Sequence, residues 1–371
     1  MTLFTYLIPF LVVLTVLVFV HEFGHYWVAR RNGVRVETFS IGFGPELFGF
    51  NDRHGTRWKF SVVPLGGYVK MFGDADAAST PSTAALDGMT ADQRAVSFHH
   101  KRVGQRAAIA AAGPVANFLF SIIALFFLFL IGGHPFPPAV VGQVSPGGAA
   151  AEAGIQSGDR IASIDGTAVD RFAELGEAVR NSGGKSVTLG IDRGGQALSF
   201  ALTPRQETVP TTDGGSATIW RLGIAADTGP YGVVDAARMS VTESWAIVSM
   251  TAQALGQMVS GQRGTEDLGG PIRIAQMSGE VYQVGIVALL WFMAILSINL
   301  GLINLVPIPM LDGGHLLFCA IEAVRGRPLG ARAQEYGFRL GLALVLTLML
   351  FATWNDLVQL KVVAFFKGLV S

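Results

Sequence analysis

Residues 21–25 of this chain read His-Glu-Phe-Gly-His and directly follow an uncharged, mostly apolar run of 20 residues. On a helix, side chains four positions apart share one face, so His21 and His25 can hold one metal ion between them. Glu22 then stands beside that ion, where it can take a proton from a water molecule that the metal activates. Ionisable side chains are costly in or beside a membrane-spanning helix and usually mark function there. The motif therefore predicts a metal enzyme that works inside a membrane.

A third ligand is needed, because catalytic zinc usually has three protein ligands and one water molecule. Asp312 is the best candidate. It follows Pro307 and Pro309, which break the helix and leave an irregular segment near membrane depth that can direct a carboxylate inward. An aspartate beside two glycines can equally be a simple turn residue. His315 is a rival ligand, but it lies three residues further on, past both glycines, and we expect it to have a supporting role or none.

The composition indicates a membrane protein, with 50% hydrophobic and only 15% charged residues among 371. The formal net charge is zero, so nothing favours nucleic-acid binding. The single cysteine, Cys319, excludes an intramolecular disulfide and a cysteine-based zinc knuckle. The N-terminal run lacks a basic start, and cleavage after it would remove the metal motif. We therefore expect a retained helix rather than a secretory signal.

Four segments are long and apolar enough to cross a bilayer, which takes about 20 residues. The expected helices are at residues 1–30, 107–131, 284–306 and 335–357. Lys and Arg cluster in the connections at residues 31–106 and 307–334. Because positive charge marks the cytoplasmic side, we expect both connections and the metal site near that side and both termini outside.

The large connection on the outer side begins with a β-rich stretch at residues 134–226. Within it, the run from Gly158 to Gly166 reads Gly-Asp-Arg-Ile-Ala-Ser-Ile-Asp-Gly, in which tight turns separate short apolar strands. This run resembles a PDZ domain of the circularly permuted bacterial kind, with a generic β-rich domain as the alternative. PDZ domains add a peptide to a sheet edge and often bind its terminal carboxylate, so we expect peptide or protein C-termini as partners. Residues 227–283 are expected to form an amphipathic linker region.

Two apolar, glycine-rich segments of the first cytoplasmic connection predict short strands. They are Gly42-Phe43-Gly44 and Gly66-Gly67-Tyr68. Irregular backbone is tolerated at membrane depth only where protein or a water-filled cavity surrounds it. A sheet edge there could hold a substrate strand extended, and an ordinary hairpin outside the bilayer remains the alternative. The predicted fold class is a polytopic α-helical membrane protein with about four transmembrane helices, one inserted β-rich PDZ domain and a small membrane-associated β element.

Four features together resemble the site-2 protease family of intramembrane zinc metalloproteases, most closely its bacterial regulator-of-sigma-E branch. They are the His21–His25 motif, the run from Asn304 to Asp312, Gly113-Pro114-Val115-Ala116-Asn117 in the second span, and the PDZ unit. The resemblance implies one zinc ion held by His21, His25 and Asp312, with Glu22 as catalytic base. It also implies that Asn304 binds substrate or stabilises the oxyanion. The two glycine-rich segments match the family's membrane-reentrant and substrate-strand elements.

The resemblance also implies a reaction and a location. The expected substrates are single-span membrane proteins cut within their transmembrane segments, in the lipid bilayer of the bacterial inner membrane. An anti-sigma factor and signal-peptide remnants both fit, trimmed beforehand by another protease. The better-known members of this branch have two tandem PDZ domains, whereas this chain has room for one. How substrates are filtered is therefore open.

Two other functions compete with this interpretation. A non-catalytic membrane scaffold would bind protein C-termini through the PDZ domain, but it would leave Glu22 without a role. A metal transporter would use His21, His25 and Asp312 as an intramembrane site. Transporters tend to show paired repeats of spans, and the sequence contains no internal repeat.

Overall fold

The computed structural model describes residues 2–74, 88–135, 137–210, 216–226, 228–262, 264, 269–327 and 329–359. The chain forms two compact units. One, the helical unit, combines Met1–Phe126 with Ala237–Ser371, and the other, the β-rich unit, is Phe127–Ala236.

The helices of both units are numbered here in chain order. They are α1 (Thr2–Arg31), α2 (Ala91–Val96), α3 (Val103–Gly132), α4 (Ala149–Ala153), α5 (Phe172–Asn181), α6 (Val233–Val259), α7 (Pro271–Val284), α8 (Ile286–Asn304), α9 (Asp312–Arg325) and α10 (Ala331–Gln359). A 3₁₀ turn at Phe98–His100 joins α2 to α3. Residues 227–283, expected to be an amphipathic linker region, thus contain all of α6 and all but the last residue of α7.

Four of these helices, α1, α3, α8 and α10, are long and apolar enough to cross a membrane. Many of their large apolar side chains are exposed, among them Leu119, Ile123 and Leu340. Such surface is costly in water but matches the hydrocarbon of a bilayer. The prediction of four candidate spanning helices and a β-rich region inserted between the second and third in the sequence is confirmed.

The helix α7 packs against both α1 and α10, the first and the last of the four long apolar helices. Its glycine Gly279 lies against Tyr6 of α1 so closely that a Cβ atom there would come within 2.1 Å of the tyrosine ring. At its N-terminus, Asp356 of α10 accepts hydrogen bonds from the backbone N–H groups of Gly270, Ile272 and Arg273, at 2.8, 3.1 and 3.0 Å. The first N–H groups of a helix have no partner within the helix. The carboxylate of Asp356, 83 to 86 residues further along the chain, therefore caps the N-terminus of α7.

The helical unit also contains one curled antiparallel sheet, made of β1 (Val36–Asn51) and β2 (Arg57–Met71). The first part of β1 pairs on both sides: Phe39 lies opposite Val69 on one edge and opposite Trp58 on the other. The two long strands are therefore bent into four short segments. Beyond the bends, Phe48 of β1 lies opposite Phe60 of β2, and the ring centroids are 4.6 Å apart.

The segment Gly67–Met71 ends this sheet on one side, because it pairs only with Val36–Ile41 within the described residues. Turns in the curled strands use glycine with positive φ. Gly66 has φ +97°, and a Cβ atom there would lie 2.7 Å from the ring of Phe43. The glycine-rich segments expected to form strands thus lie at the bends of β1 and β2.

The β-rich unit has its own core. Its strands are β3 (Val141–Val144), β4 (Arg160–Ile164), β5 (Thr167–Ala168), β6 (Val187–Arg193), β7 (Gln196–Leu202), β8 (Arg205–Pro210), β9 (Ser216–Arg221) and β10 (Ile224–Ala226). They form a four-stranded sheet of order β5-β4-β6-β7 and the pairs β10-β3 and β8-β9. The side chains of Ile161, Leu175 and Leu189 are buried in one apolar cluster. Asp159 of the Gly-Asp motif forms a bidentate ion pair with Arg193, with both N–O distances 2.6 Å.

Candidate metal centre

The helix α1 places His21 and His25 one turn apart on its buried face. Their Nε2 atoms lie 3.2 Å apart, and both residues are at least nine-tenths buried. Asp312 reaches the same point from α9: its Oδ2 is 3.1 Å from Nε2 of His21 and its Oδ1 is 3.3 Å from Nε2 of His25. Among the described His, Cys, Asp and Glu residues, these three form the one group that could share a metal ion, and their ligand atoms all lie within 4.8 Å of one another.

These distances fit a tetrahedral zinc ion. Nitrogen and oxygen ligands about 2.0–2.2 Å from such an ion lie about 3.3–3.6 Å from one another, close to the separations observed. Apart from the 3.1 Å approach of Nε2 of His21, the fully buried Oδ2 of Asp312 has no hydrogen-bond partner among the described residues. A buried carboxylate oxygen without a hydrogen bond is unfavourable unless a cation satisfies it. The residues present therefore fit the metal.

The hydrogen bond of His25 also fits metal binding. Its Nδ1 is 2.8 Å from the carbonyl oxygen of Ile109, and a carbonyl can only accept. Neutral His25 therefore carries its proton on Nδ1, and the lone pair of Nε2 points at His21 and Asp312. This is the arrangement that metal-binding histidines generally use.

The loop between α8 and α9 brings Asp312 to this point. Met310 has φ +89°, an uncommon conformation for a residue with a side chain. Cβ atoms on Gly313 and Gly314 would lie 2.3 Å from the carbonyl oxygen of Val306 and 2.4 Å from that of Ile308. Only glycine lets the start of α9 fold back onto the proline-containing loop, which explains the two glycines after the aspartate.

Glycines also let α1 and α3 approach each other. A Cβ atom on Gly24 of α1 would lie 2.3 Å from the backbone oxygen of Ala112, and one on Gly113 of α3 would lie 2.3 Å from Nε2 of His25. Gly113 belongs to the run Gly113–Asn117 that carries part of the family resemblance, but the sequence predicts no role for this glycine. A single sequence could not reveal it, because the contact joins two helices far apart in the chain.

A cavity of about 300 Å³ surrounds the three candidate metal ligands. Of the residues predicted to form the site, it is lined by His21, Glu22, His25, Phe43, Gly66, Gly67, Tyr68, Asn304 and Asp312. Gly42 and Gly44 lie in β1 but are not part of this lining. His315 does line the cavity. It is not one of the three clustered ligands, and its ring packs 5.4 Å from that of Phe338.

Glu22 lies between the candidate metal ligands and the edge of the sheet. A Cβ atom on Gly67 would come within 3.1 Å of its Cγ and within 2.7 Å of Val18. The carboxylate also interacts with the backbone of Val69. The strand edge and the glutamate therefore face the same cavity, on the side that a bound peptide would have to use.

Comparison with known proteins agrees with this geometry. The family model for peptidase family M50 matches residues 9–348. The chain belongs to this family, the site-2 proteases. It is 34% identical to the regulator of sigma-E protease of Salmonella typhimurium strain 14028s, with 95% of this chain and 98% of the relative covered. A protein of Agrobacterium fabrum, whose name provisionally calls it a zinc metalloprotease, is 44% identical with 96% of each chain covered. The site-2 protease assignment and the metalloprotease activity expected from sequence are confirmed.

The alignment with the Salmonella relative extends over 459 positions, more than the 371 residues of this chain. The Salmonella protease thus contains segments that have no counterpart in this chain. Among solved structures, the PDZ domains of SdrC-like proteins from Listeria monocytogenes and Listeria innocua match 25% of this chain. The identities are 19% and 21%, the matches cover 92% and 96% of those domains, and both TM-scores are 0.20.

Proposed function

We propose that this chain is an intramembrane zinc endopeptidase that cuts single-span membrane proteins within their transmembrane segments. The observation that carries the proposal is the cluster of His21, His25 and Asp312, with Glu22 beside it. His21, Glu22 and His25 lie on a helix that is apolar and long enough to span a bilayer. Zinc, when bound there, supplies a Lewis acid that acidifies water and polarises the scissile carbonyl.

Glu22 is the proposed general base. Its carboxylate follows the first ligand directly in sequence and lines the same cavity as all three ligands. It takes the proton from the attacking water and passes it to the nitrogen of the leaving amine. Asn304 lines the cavity at the end of α8. Its amide N–H can donate a hydrogen bond to the developing oxyanion, an interaction worth about 3 kcal/mol in other hydrolases.

The edge segment Gly67–Met71 is the proposed substrate strand. A transmembrane helix presents no free backbone, because every amide is paired within the helix. The substrate must unwind before attack, and an open strand edge can then pair with its backbone and hold it extended. The lining of the metal cavity by Gly66, Gly67 and Tyr68 supports this role.

The curled sheet is proposed to contact lipid. Large apolar side chains of the hairpin are 40–65% exposed: Phe43, Leu47, Phe48, Phe50, Val62 and Val63. An exposed apolar patch of this kind on a soluble surface would favour aggregation, whereas it matches a bilayer. We place this sheet and the metal site near the cytoplasmic side, because Lys and Arg cluster in the same connection. The N- and C-termini and the β-rich unit are then outside the cytoplasm.

The β-rich unit is proposed to bind C-terminal peptides and to exclude bulky substrates. A cavity of about 550 Å³ lies in this unit between α5 and the strands β9 and β10, with Leu175, Val179, Trp220 and Ile224 in its lining. The strand β10 pairs with β3 along one edge. In the described part of the unit no strand covers its other edge, the arrangement that peptide addition to a sheet requires.

Cleavage of a single-span substrate by purified protein in detergent tests the proposal. We expect the wild type to cut within the span, Glu22→Gln to retain zinc but lose activity, and Asp312→Ala to lose both. If all three proteins bind the substrate equally and none cuts it, the catalytic proposal is wrong. The scaffold alternative, with the β-rich unit as the binding site, would then be favoured.

A further inference from the structure

Asn117 of α3 is a completely buried polar residue beside the metal ligands. Its exposed fraction is 0%, and its Nδ2 lies 3.2 Å from Nδ1 of His21. The Oδ1 atom of the same amide has no hydrogen-bond partner among the described residues. Buried amides rarely leave an oxygen unpaired, so the orientation of this side chain needs an explanation.

The position of the proton on the imidazole of His21 explains this orientation. As placed, the amide NH2 of Asn117 donates to Nδ1 of His21, which puts the imidazole proton on Nε2. That nitrogen is 3.1 Å from Oδ2 of Asp312 and 3.2 Å from Nε2 of His25. A protonated Nε2 has no lone pair and cannot bind a cation. This tautomer is therefore incompatible with the zinc site.

The nitrogen and oxygen of an amide have nearly the same shape, so only their hydrogen bonds distinguish them. Rotation of the Asn117 amide by a half turn puts Oδ1 where Nδ2 lies, about 3.2 Å from Nδ1 of His21. The oxygen then accepts the Nδ1–H of His21, and the lone pair of Nε2 points into the site. The rotation also moves the NH2 group to the place of the unpaired oxygen. What the rotation improves is therefore the tautomer of His21, not the hydrogen bonding at the far end of the amide.

We infer that Asn117 is a positioning residue whose carboxamide oxygen accepts the Nδ1–H of His21 and so directs the Nε2 lone pair of His21 at the metal. This inference rests on the proposed zinc site. It gives His21 the same kind of partner that His25 has in the carbonyl of Ile109. Partners of this kind fix both the tautomer and the orientation of a metal-binding imidazole.

The surrounding helices hold Asn117 in place. Its own carbonyl oxygen accepts hydrogen bonds from the hydroxyls of Ser121 and Ser297, both at 3.0 Å. The single hydroxyl hydrogen of Ser121 is shared with the carbonyl of Ala294 on α8, whose oxygen lies 2.9 Å from Oγ. Both serines are completely buried. The backbone of α3 at Asn117 is thus fixed against α8, which leaves the amide little freedom except rotation about its own axis.

The test is the zinc affinity of the purified full-length protein in detergent, measured by competition with a chromogenic chelator. Asn117→Asp keeps an acceptor of the same shape, whereas Asn117→Leu keeps the size and removes the acceptor. We expect Asn117→Asp to bind zinc at least as tightly as the wild type and Asn117→Leu to bind it about 10–100-fold more weakly. Ser297→Ala is the matched control: it removes a buried hydrogen bond to the backbone of Asn117 but leaves the amide in place, and we expect wild-type affinity.

Wild-type affinity in Asn117→Leu overturns the inference, and so does an equal loss in Asn117→Asp and Asn117→Leu, because packing rather than the acceptor would then matter. If Asn117→Leu does not fold, judged by circular dichroism without metal, Asn117→Ala, which also removes the acceptor, replaces it under the same criterion. His21→Ala separates this inference from the proposed function. If His21→Ala binds zinc as the wild type does, the metal site itself is wrong and the role of Asn117 with it. If His21→Ala loses zinc but Asn117→Leu does not, only the role of Asn117 is wrong.

Discussion

Gly113 of the second span lies directly against His25 of the first: a Cβ atom on the glycine would be 2.3 Å from the Nε2 atom that is to bind the metal. The same Cβ would also be 2.8 Å from Cε1 of His21. No carbon atom fits at such distances, so the absence of a side chain at one position of α3 leaves room for both imidazoles. The room for the two proposed ligands therefore depends on a residue that is not itself a candidate ligand.

Gly113→Ala should weaken zinc binding while the protein still folds. The methyl group must displace the imidazoles, which lie nine-tenths buried with little room to move. We expect zinc affinity to fall at least about 10-fold, as for other changes around the ligands of a metal, measured by chelator competition. The matched control is Gly104→Ala in the same helix, where a Cβ atom meets nothing within 4 Å. Equal zinc affinity in the two variants would contradict the prediction.

Gly67→Ala should have the opposite profile, with zinc retained and catalysis impaired. Its methyl group would meet Val18 at 2.7 Å and Glu22 at 3.1 Å, so it separates the strand edge from the proposed base without touching a ligand. Small displacements of a catalytic group are costly, and we expect kcat to fall about tenfold or more. Metal analysis and cleavage of a single-span substrate measure the two effects. Loss of zinc in Gly67→Ala would show that the strand supports the ligands instead.

Local patterns in the sequence predicted the spans and the candidate ligands, but they could not predict contacts between distant segments. The apolar run before His21 and the two prolines before Asp312 each carry their signal within a few residues. By contrast, Asn117 meets His21 across 96 residues, and Asp356 caps α7 across 86. The double pairing of Phe39, with Val69 on one side and Trp58 on the other, depends on how β1 and β2 bend. Composition and periodicity do not contain that information.

Asp356→Ala should destabilise the protein without affecting the metal ligands. The substitution leaves the N–H groups of Gly270, Ile272 and Arg273 without the carboxylate that caps them. Loss of an N-cap costs about 0.5–2 kcal/mol, and we expect an effect at the upper end because Asp356 is only 2% exposed. Denaturant unfolding in detergent measures the free energy. Thr353→Ala, whose hydroxyl bonds the Met349 carbonyl within the same helix, is the control and should cost less.

Asp52, at the turn between β1 and β2, should make stability depend on pH in acid. Partial burial alone would raise the pKa of Asp52. Hydrogen bonds from the backbone of Thr56, the hydroxyl of Tyr26, the indole of Trp58 and the backbone of His54 outweigh it and lower the pKa to about 2. Because the folded pKa lies below the unfolded value of about 3.9, the carboxylate stabilises the fold above pH ~4. That contribution is lost as the pH falls toward 2.

Asp52→Asn should therefore be less stable than the wild type at neutral pH, and the difference should shrink between pH ~4 and pH ~2. Denaturant unfolding of both proteins across this range measures the difference, and other acid-sensitive groups cancel because both proteins contain them. A difference that stays constant down to pH 2 would mean that the charge of Asp52 is not what stabilises the turn.

Removal of the β-rich unit should widen the range of substrates. The residues that flank the stretch 134–226 lie close together, since a Cβ atom on Gly133 would be 2.2 Å from the carbonyl oxygen of Thr228, so a short Gly-Ser linker can replace residues 134–226. If the unit excludes bulky domains, the shortened protein should cut an intact single-span substrate that the wild type cuts only after its outer domain has been trimmed. The two proteins should cut the trimmed substrate at similar rates, which also shows that the metal site has survived the deletion. If the intact substrate stays uncut while the trimmed one is cut, the unit does not act as a size filter, and peptide capture in the groove beside α5 becomes its better-supported role.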